Sequence, residues 1–461
     1  MRTSVVLFTG DLRVHDQPVL RGALDEAENI VPLFVLDSGV ARSGFMVPNR
    51  AAFLADCLHD LDAALRKRGG RLIIRSGAVV DEVCRVADEV DAGSVHVAAG
   101  VSGYAMRREQ RLRDALEASR RTLTVHDAVV TVVPPGGVLP SGSGATAKDH
   151  FAVFTPYFRR WRDRVHRAPL GAPRRVEVPD SVVSDPLPSA KSLVAGDVSP
   201  GLCAGGESVA RERMRHWAAG AMAQYDDRHD DLAGDATSRL SPYLHFGCLS
   251  PVELVRVADD RGGSGAQAFV RQLAWRDFNY QVLAARPKAS HEDYRSRGDH
   301  WRGDERELAA WRDGLTGYPI IDAAMRQLRH EGWMHNRGRL LVGSFLTKTL
   351  YVDWRAGAAH FLELLVDGDV ANNQLNWQWV AGTGTDTRPN RVLNPLTQAG
   401  RFDADGTYVR RWVPELAEIG GPAVHRPWKL PKDTRSRLDY PDPLVDLGEG
   451  LDRFHRARDK G

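Results

Sequence analysis

Residues 367–387, DGDVANNQLNWQWVAGTGTDT, gather Asp367 and Asp369, Asn372, Asn373 and Asn376, and Trp377 and Trp379 in one short stretch of helical character. Carboxylates, amides and indoles are costly to bury together, because each polar group left without a partner forfeits about 1–3 kcal/mol. A flat, polar heteroaromatic ligand such as a flavin would satisfy them. Two plainer readings stand beside that one: Asp-x-Asp as a metal site, and the paired indoles as ordinary core. The string alone leaves them evenly matched.

Other groups of residues have chemistry in reach. Thr237, Ser238, Arg239, Leu240, Ser241 and Pro242 read as a helix entry, with Ser241 as cap and Pro242 in the first turn. Hydroxyls and unpaired N–H groups at such an entry suit a phosphate, although simple capping is the plainer account. In AFVRQLAWRDF, Gln272 and Arg276 are i, i+4 neighbours with Trp275 beside them, which also fits an amphipathic helix with a buried indole. WMHNRGRLL brings Asn336, Arg337, Arg339 and Leu340 to another helix start, where arginines meet either phosphate or solvent. Tryptophans at 301, 311, 333, 354, 377 and 379 form a spaced series of readily oxidised rings able to pass electrons, though large aromatics mostly build cores.

The elements that must position these groups divide the chain. Up to about residue 130, β-branched runs at 4–8, 30–36, 71–75, 95–98 and 122–125 alternate with amphipathic stretches, the clearest opening near Asn49 and ending at Gly69-Gly70. Strand–helix alternation predicts a parallel, doubly wound, Rossmann-like sheet. The first strand runs into TGDLRVHD, so the GxGxxG dinucleotide fingerprint is absent there. Residues 131–204, with Pro134-Pro135-Gly136-Gly137, SGSG at 141–144 and scattered prolines, predict a long connector draped over the surface. Within it KDHFAVFTPYFRRWRDR (148–164) reads as an aromatic tether with a solvated arginine face. From 205 to 461 the pattern is helical, clearest at 207–222 and at 318–332, where Pro319 opens and Gly332 closes a helix. The expectation is an α/β domain over 1–130, a linker over 131–204 and an all-α domain over 205–461.

At 461 residues the chain exceeds one ordinary core, and its 43% hydrophobic content fits a globular enzyme. Sixty-two basic against 60 acidic residues leave +2, so a nucleic-acid surface has to be a local concentration of arginine. Cys57, Cys84, Cys203 and Cys248 are widely spaced without CxxC, which argues for a reducing compartment without disulfides or structural zinc. The apolar run in MRTSVVLFTG is too short for a signal peptide, and no membrane-length apolar run follows. A soluble, cytoplasmic, membrane-free protein is expected.

Five ordered segments, FTGDLRVHDQPVL, TSRLSPYLHFGCLSP, WRDFNYQVL, GLTGYPIIDAAMRQLRHEGWMHNR and DGDVANNQLNWQWVAGTGTD, resemble the DNA photolyase/cryptochrome family, and within it the bacterial cyclobutane pyrimidine dimer photolyases. The resemblance spans nearly the whole chain. It implies light-driven repair, in which excited, reduced FAD passes an electron to a pyrimidine dimer flipped out of damaged DNA. For FAD it implies Tyr225 as a contact, the run Thr237, Ser238, Arg239, Leu240 and Ser241 around the diphosphate, and Asn336, Arg339, Asp367, Asp369 and Asn373 about the ring and ribityl chain. On that view the acids and amides line a flavin pocket, with no metal. Asn373 matches the residue facing flavin N5, where plant cryptochromes typically carry an acid.

The resemblance further implies an electron chain of Trp377, Trp354 and Trp301, with Trp311 and Trp333 as packing residues. Trp275 and Trp379 match the indoles of the dimer site, and Arg276, Arg337 and Gln398 match contacts to the strand. Three departures stand out. Gln272 replaces a common glutamate, Leu340 replaces a common methionine, and TRPNRVLNP lacks the usual aromatic run. Neither Asn336 nor Leu340 is the histidine of (6-4) photolyases. A second, light-harvesting chromophore is implied, folate or hydroxy-deazaflavin; the Ala-, Arg- and Gly-rich composition favours the deazaflavin, as in high-GC actinobacteria. A monomer acting on ultraviolet-damaged DNA is expected. The alternatives are a cryptochrome-like photoreceptor that binds FAD without repair, and a light-independent oxidoreductase for which no motif speaks.

Overall fold

The computed structural model describes residues 2–142 and 148–458; Ser143 and Gly144 of the SGSG run lie outside them. Two compact units are present. One comprises Met1–Val198, Cys203–Asp226 and Ser238–Pro287, the other Ser199–Leu202, Asp227–Thr237 and Lys288–Gly461.

The first unit is built on five parallel strands, β1 (Thr3–Phe8), β2 (Asn29–Asp37), β3 (Ile73–Gly77), β4 (Ser94–Ala98) and β5 (Thr122–His126), in the order β3-β2-β1-β4-β5. Every residue of β1 is buried, as a central strand covered on both faces requires, and Val5, Leu7, Val31, Leu33, Ile73, Val95 and Val97 make its core. The strand order reverses between β1 and β4, the point at which ligands of open α/β sheets gather beyond the carboxyl ends of the strands. The expected helix near Asn49 runs Pro48–Arg66 and buries Leu54, Cys57, Leu58, Leu61 and Leu65.

The sheet-bearing unit is discontinuous in sequence, and the TGDLRVHD loop supplies one reason. The Arg13 guanidinium, 1% exposed, donates to the carbonyls of Asp16, Val129 and Gly247, while Glu207 accepts from the backbone N–H groups of Val14 and His15. Residues far along the chain are thereby drawn into the sheet-bearing unit. Gly247 has φ +70°, and a Cβ there would stand 2.1 Å from the Gly10 carbonyl oxygen, so only glycine fits this crossing. The long helix Gly263–Ala285 joins the same unit through Asp277, whose Oδ2 accepts from Val132 N, Val133 N and Trp161 Nε1, each at 2.9 Å. The connector is anchored as well as draped: Ile30 N donates to Glu177 O and Asp185 N to Ile74 O, and Val176 is fully buried.

The second unit is helical. Pro319–Glu331 begins with proline and ends at Gly332 in the left-handed region, as its sequence predicts. Trp311, Ile321, Met325, Leu341, Phe345, Trp354, Phe361 and Trp377 share one core. The helix Asn336–Ser344 passes into a π-helical turn over Phe345–Thr349 before Trp354–Leu364 and Val370–Ala381 follow.

Candidate functional site

In the helical unit residues 367–387 give their first two acids separate tasks. Asp369 caps the helix Val370–Ala381, accepting from Asn372 N at 2.7 Å, because a carboxylate satisfies the unpaired N–H groups of a first turn. Asp367 instead receives Arg339 Nη2 at 2.8 and 3.0 Å, while Arg339 Nε holds the Met334 carbonyl. The Asp-x-Asp pair is thus a cap and an ion pair. Asn373 is buried and spends both amide hydrogens, on Ala358 O at 3.0 Å and Gln374 Oε1 at 3.2 Å. Its amide oxygen, an acceptor, is what remains for a ligand. Asn336, exposed, is the first residue of its helix, capped by His335. The Thr237 hydroxyl is buried without a hydrogen-bond partner.

In the sheet-bearing unit Tyr225 is buried against Trp217 at 5.8 Å and Phe269 at 6.1 Å. The hydroxyl run behaves otherwise than expected at its cap: Leu240 holds that position, and Ser241 is already the first residue of the short helix Ser241–His245. The cause is Arg239, whose φ of +50° turns the chain into helical geometry one residue early. Ser238 Oγ accepts weakly from Leu240 N at 3.4 Å.

The indoles expected at the lesion are both half-buried. Trp275 stacks flat on Phe154, with ring centroids 3.8 Å apart and planes 5° apart, and Arg271 sits 4.8 Å from the Phe154 ring centre. Phe154 belongs to the helix Phe154–Asp163, so the tether foreseen in the connector supports Trp275 directly; sequence reasoning saw its aromatics and missed their partner. On the same helix as Trp275, Gln272 is exposed, whereas Arg276 donates to the carbonyls of Val130 and Leu244 and lies 4.6 Å from the Tyr280 ring centre. In the other unit Arg337 pairs with Asp230 and covers the Phe402 ring at 4.3 Å, while Arg391 lies 5.5 Å from the Trp379 ring centre. Leu340 and Gln398 are half-buried, the latter on the helix Pro395–Phe402.

Of the electron-chain candidates, Trp377 and Trp354 are buried and Trp301 is half-buried, packed 4.9 Å from Tyr351. Trp354 Nε1 donates to Asp293 at 2.8 Å, which places a negative charge beside that ring. Trp311 is fully buried, donates to the Val342 carbonyl and meets Trp377 edge-on at 5.9 Å.

Residues 4–176 match the family model described as DNA photolyase, and residues 269–460 match the FAD binding domain of DNA photolyase. A deoxyribodipyrimidine photo-lyase of Streptomyces griseus is 65% identical over 458 residues, covering 99% of each chain. Among solved structures, a class III photolyase from Agrobacterium tumefaciens superposes with a TM-score of 0.91 at 30% identity, over 100% of this chain and 98% of that one. An archaeal photolyase from Sulfolobus tokodaii, solved with two FAD molecules, gives a TM-score of 0.85 at 29% identity over the whole of both chains. The α/β sheet, the helical FAD-binding domain and these similarities together establish that the chain belongs to the DNA photolyase family.

Proposed function

We propose that this chain uses light to restore cyclobutane pyrimidine dimers in DNA, with FAD as its electron donor. The observation that carries the reading is the commitment of both Asn373 amide hydrogens, which leaves an acceptor oxygen and no acidic proton. A reduced flavin carries an N–H at N5, so an acceptor there favours the reduced form, whereas an aspartic acid would offer it a proton. Arg339, Asp367, Asp369 and Asn336 bind the ring and ribityl region; Tyr225 contacts the cofactor, and the segment Thr237, Ser238, Arg239, Leu240 and Ser241 takes the diphosphate. The buried, unpartnered Thr237 hydroxyl fits that assignment. Bound, reduced and excited, FAD supplies the single electron that opens the cyclobutane ring.

The protein contributes placement, fixed dipoles and exclusion of water. Trp275 and Trp379 receive the extruded dimer, whose weakened stacking lowers the cost of flipping, while Gln272 and Leu340 line its edge. Arg337 and Gln398 address the strand, and Arg276, tied to two carbonyls, holds the adjoining surface in shape. Trp377, Trp354 and Trp301 would pass one electron inward to light-excited oxidised flavin, leaving the positive charge on Trp301 for an external thiol reductant to fill, and Asp293 favours positive charge on Trp354. We assign hydroxy-deazaflavin as second chromophore to the carboxyl ends of β1 and β4, where Asp11 is fully buried and Arg108 keeps a buried Nε without a partner. The protein acts as a cytoplasmic monomer; among the described residues no helix is long and apolar enough to cross a membrane.

The test is blue-light irradiation of dimer-containing oligothymidine with the reduced holoprotein. Restored thymine absorbance is expected, and its absence ends the repair reading. Extracted pigments identify the second chromophore by their absorption.

A further inference from the structure

Lys348 has a side chain whose position no packing argument explains. It lies in the π-helical turn Phe345–Thr349, is 2% exposed, and sits 5.6 Å from the Phe454 ring centre. An ammonium group is among the most costly to bury, and a leucine or methionine would fill the same volume without that cost. What neither could do is donate. Lys348 Nζ donates to the carbonyls of Pro389 at 2.8 Å and Arg391 at 2.7 Å. One helical turn earlier, buried Ser344 accepts from Leu393 N at 3.0 Å. The loop so held exposes Thr387, Arg388, Asn390 and Arg391, and Arg391 covers Trp379. It is the TRPNRVLNP segment, which lacks the usual aromatic run.

We propose that Lys348 is a positioning residue for lesion recognition: from beneath, it clasps the carbonyls of Pro389 and Arg391, fixing the basic 387–394 loop against Trp379 for contact with DNA. This rests on the assignment of Trp379 to the dimer site. Charge-assisted hydrogen bonds are roughly twice as strong as neutral ones, so the clasp is firmest with Lys348 protonated. Burial lowers its pKa to about 7; Asp386 and Asp299 favour the charged form, and Arg458 and Arg391 oppose it. In the wild type the loop therefore loosens as pH rises through that value.

The experiment compares Lys348→Met, Lys348→Gln and Lys348→Arg holoproteins with wild type in two measurements. Amide hydrogen exchange over 388–394, corrected for intrinsic rate, reads the clasp; binding and repair of a dimer-containing oligonucleotide read its purpose. Lys348→Met should exchange about tenfold faster in this loop alone and bind dimer about tenfold more weakly, with repair at saturating substrate unchanged. Lys348→Arg should restore most of both, and Lys348→Gln, with an uncharged donor, should fall between and serves in place of the methionine variant if that does not fold. Unchanged loop exchange, or faster exchange without weaker dimer binding, overturns the proposal, as does an effect confined to thermal stability. Failure of wild type itself to prefer dimers sinks the repair assignment and the purpose ascribed here, while the exchange result still decides whether the clasp exists.

Discussion

Asp277 offers a direct electrostatic test of the sheet-bearing unit. Its carboxyl is 1% exposed, and Oδ2 accepts three N–H groups at 2.9 Å, while Arg276 Nη1 stands 3.9 Å from Oδ1. Burial outweighs these favourable contacts and pushes its pKa from 3.8 up to about 6. A difference of about two pH units between folded and unfolded chains is worth about 3 kcal/mol. The sign follows from proton binding: between about pH 4 and 6 the folded chain keeps a proton that the unfolded chain releases. The stabilisation is complete below pH 4 and is lost as pH rises through 6. Asp277→Asn preserves a neutral acceptor for the three donors and cannot ionise. The variant should keep a constant offset from wild type below about pH 3 and gain on it by up to about 3 kcal/mol by pH 8, about a third of that gain being present already near pH 4.5. Urea unfolding of both proteins at stepped pH, with m-values compared, measures the difference and cancels every other titrating group. A difference that stays flat across this range, or runs the other way, refutes the argument. Asp277→Ala supplies the contrast: it strands three donors at about 1–3 kcal/mol each and should destabilise at every pH.

Trp301→Phe should slow photoreduction of oxidised flavin at least tenfold, followed by transient absorption, while repair by pre-reduced protein stays near wild type; equal loss of both would make Trp301 structural. Phe154→Ala removes the flat stack beneath Trp275, worth about 0.5–1.5 kcal/mol, and should weaken dimer binding up to about tenfold with the flavin spectrum unaltered. Gly247→Ala brings a methyl carbon to 2.1 Å from the Gly10 carbonyl oxygen at φ +70° and should lower the melting temperature by more than 5 °C or abolish soluble expression. Dimer affinity should fall with salt on a log–log line, and Arg391→Ala should flatten its slope by about one.

The five strands were legible because each is a β-branched run closed in a parallel sheet, where local composition and final burial agree. The third was displaced by two residues, since its pairing with β2 begins at Leu33 opposite Ile73 and runs on to Asp37 opposite Gly77. The helix at Pro319–Glu331 carries both its signals in its own sequence. The entry at Ser241 did not, because the left-handed turn at Arg239 is invisible to residue type. Site residue types could be read, but their partners could not: nothing local announces that Asp367 meets Arg339, that Trp275 meets Phe154, or that Lys348 turns inward beneath a loop forty residues on. The membership of 238–287 in the sheet-bearing unit likewise rests on distant partners of Arg13 and Asp277.

That interleaving bears on how the protein is made and how it evolves. A nascent chain reaching residue 204 has all five strands, yet Arg13 still lacks the Gly247 carbonyl and the backbone N–H groups of Val14 and His15 still lack Glu207. The strand pairings themselves need nothing beyond His126, but the partners that Glu207, Gly247 and Asp277 supply are added only as synthesis proceeds to Pro287, and until then water solvates the Arg13 guanidinium. A single crossover after the fifth strand would set the Arg13 loop of one parent against the Glu207 and Gly247 segments of the other. Exchange of the amino-terminal segment between related genes therefore keeps these contacts together only when residues 203–287 travel with it.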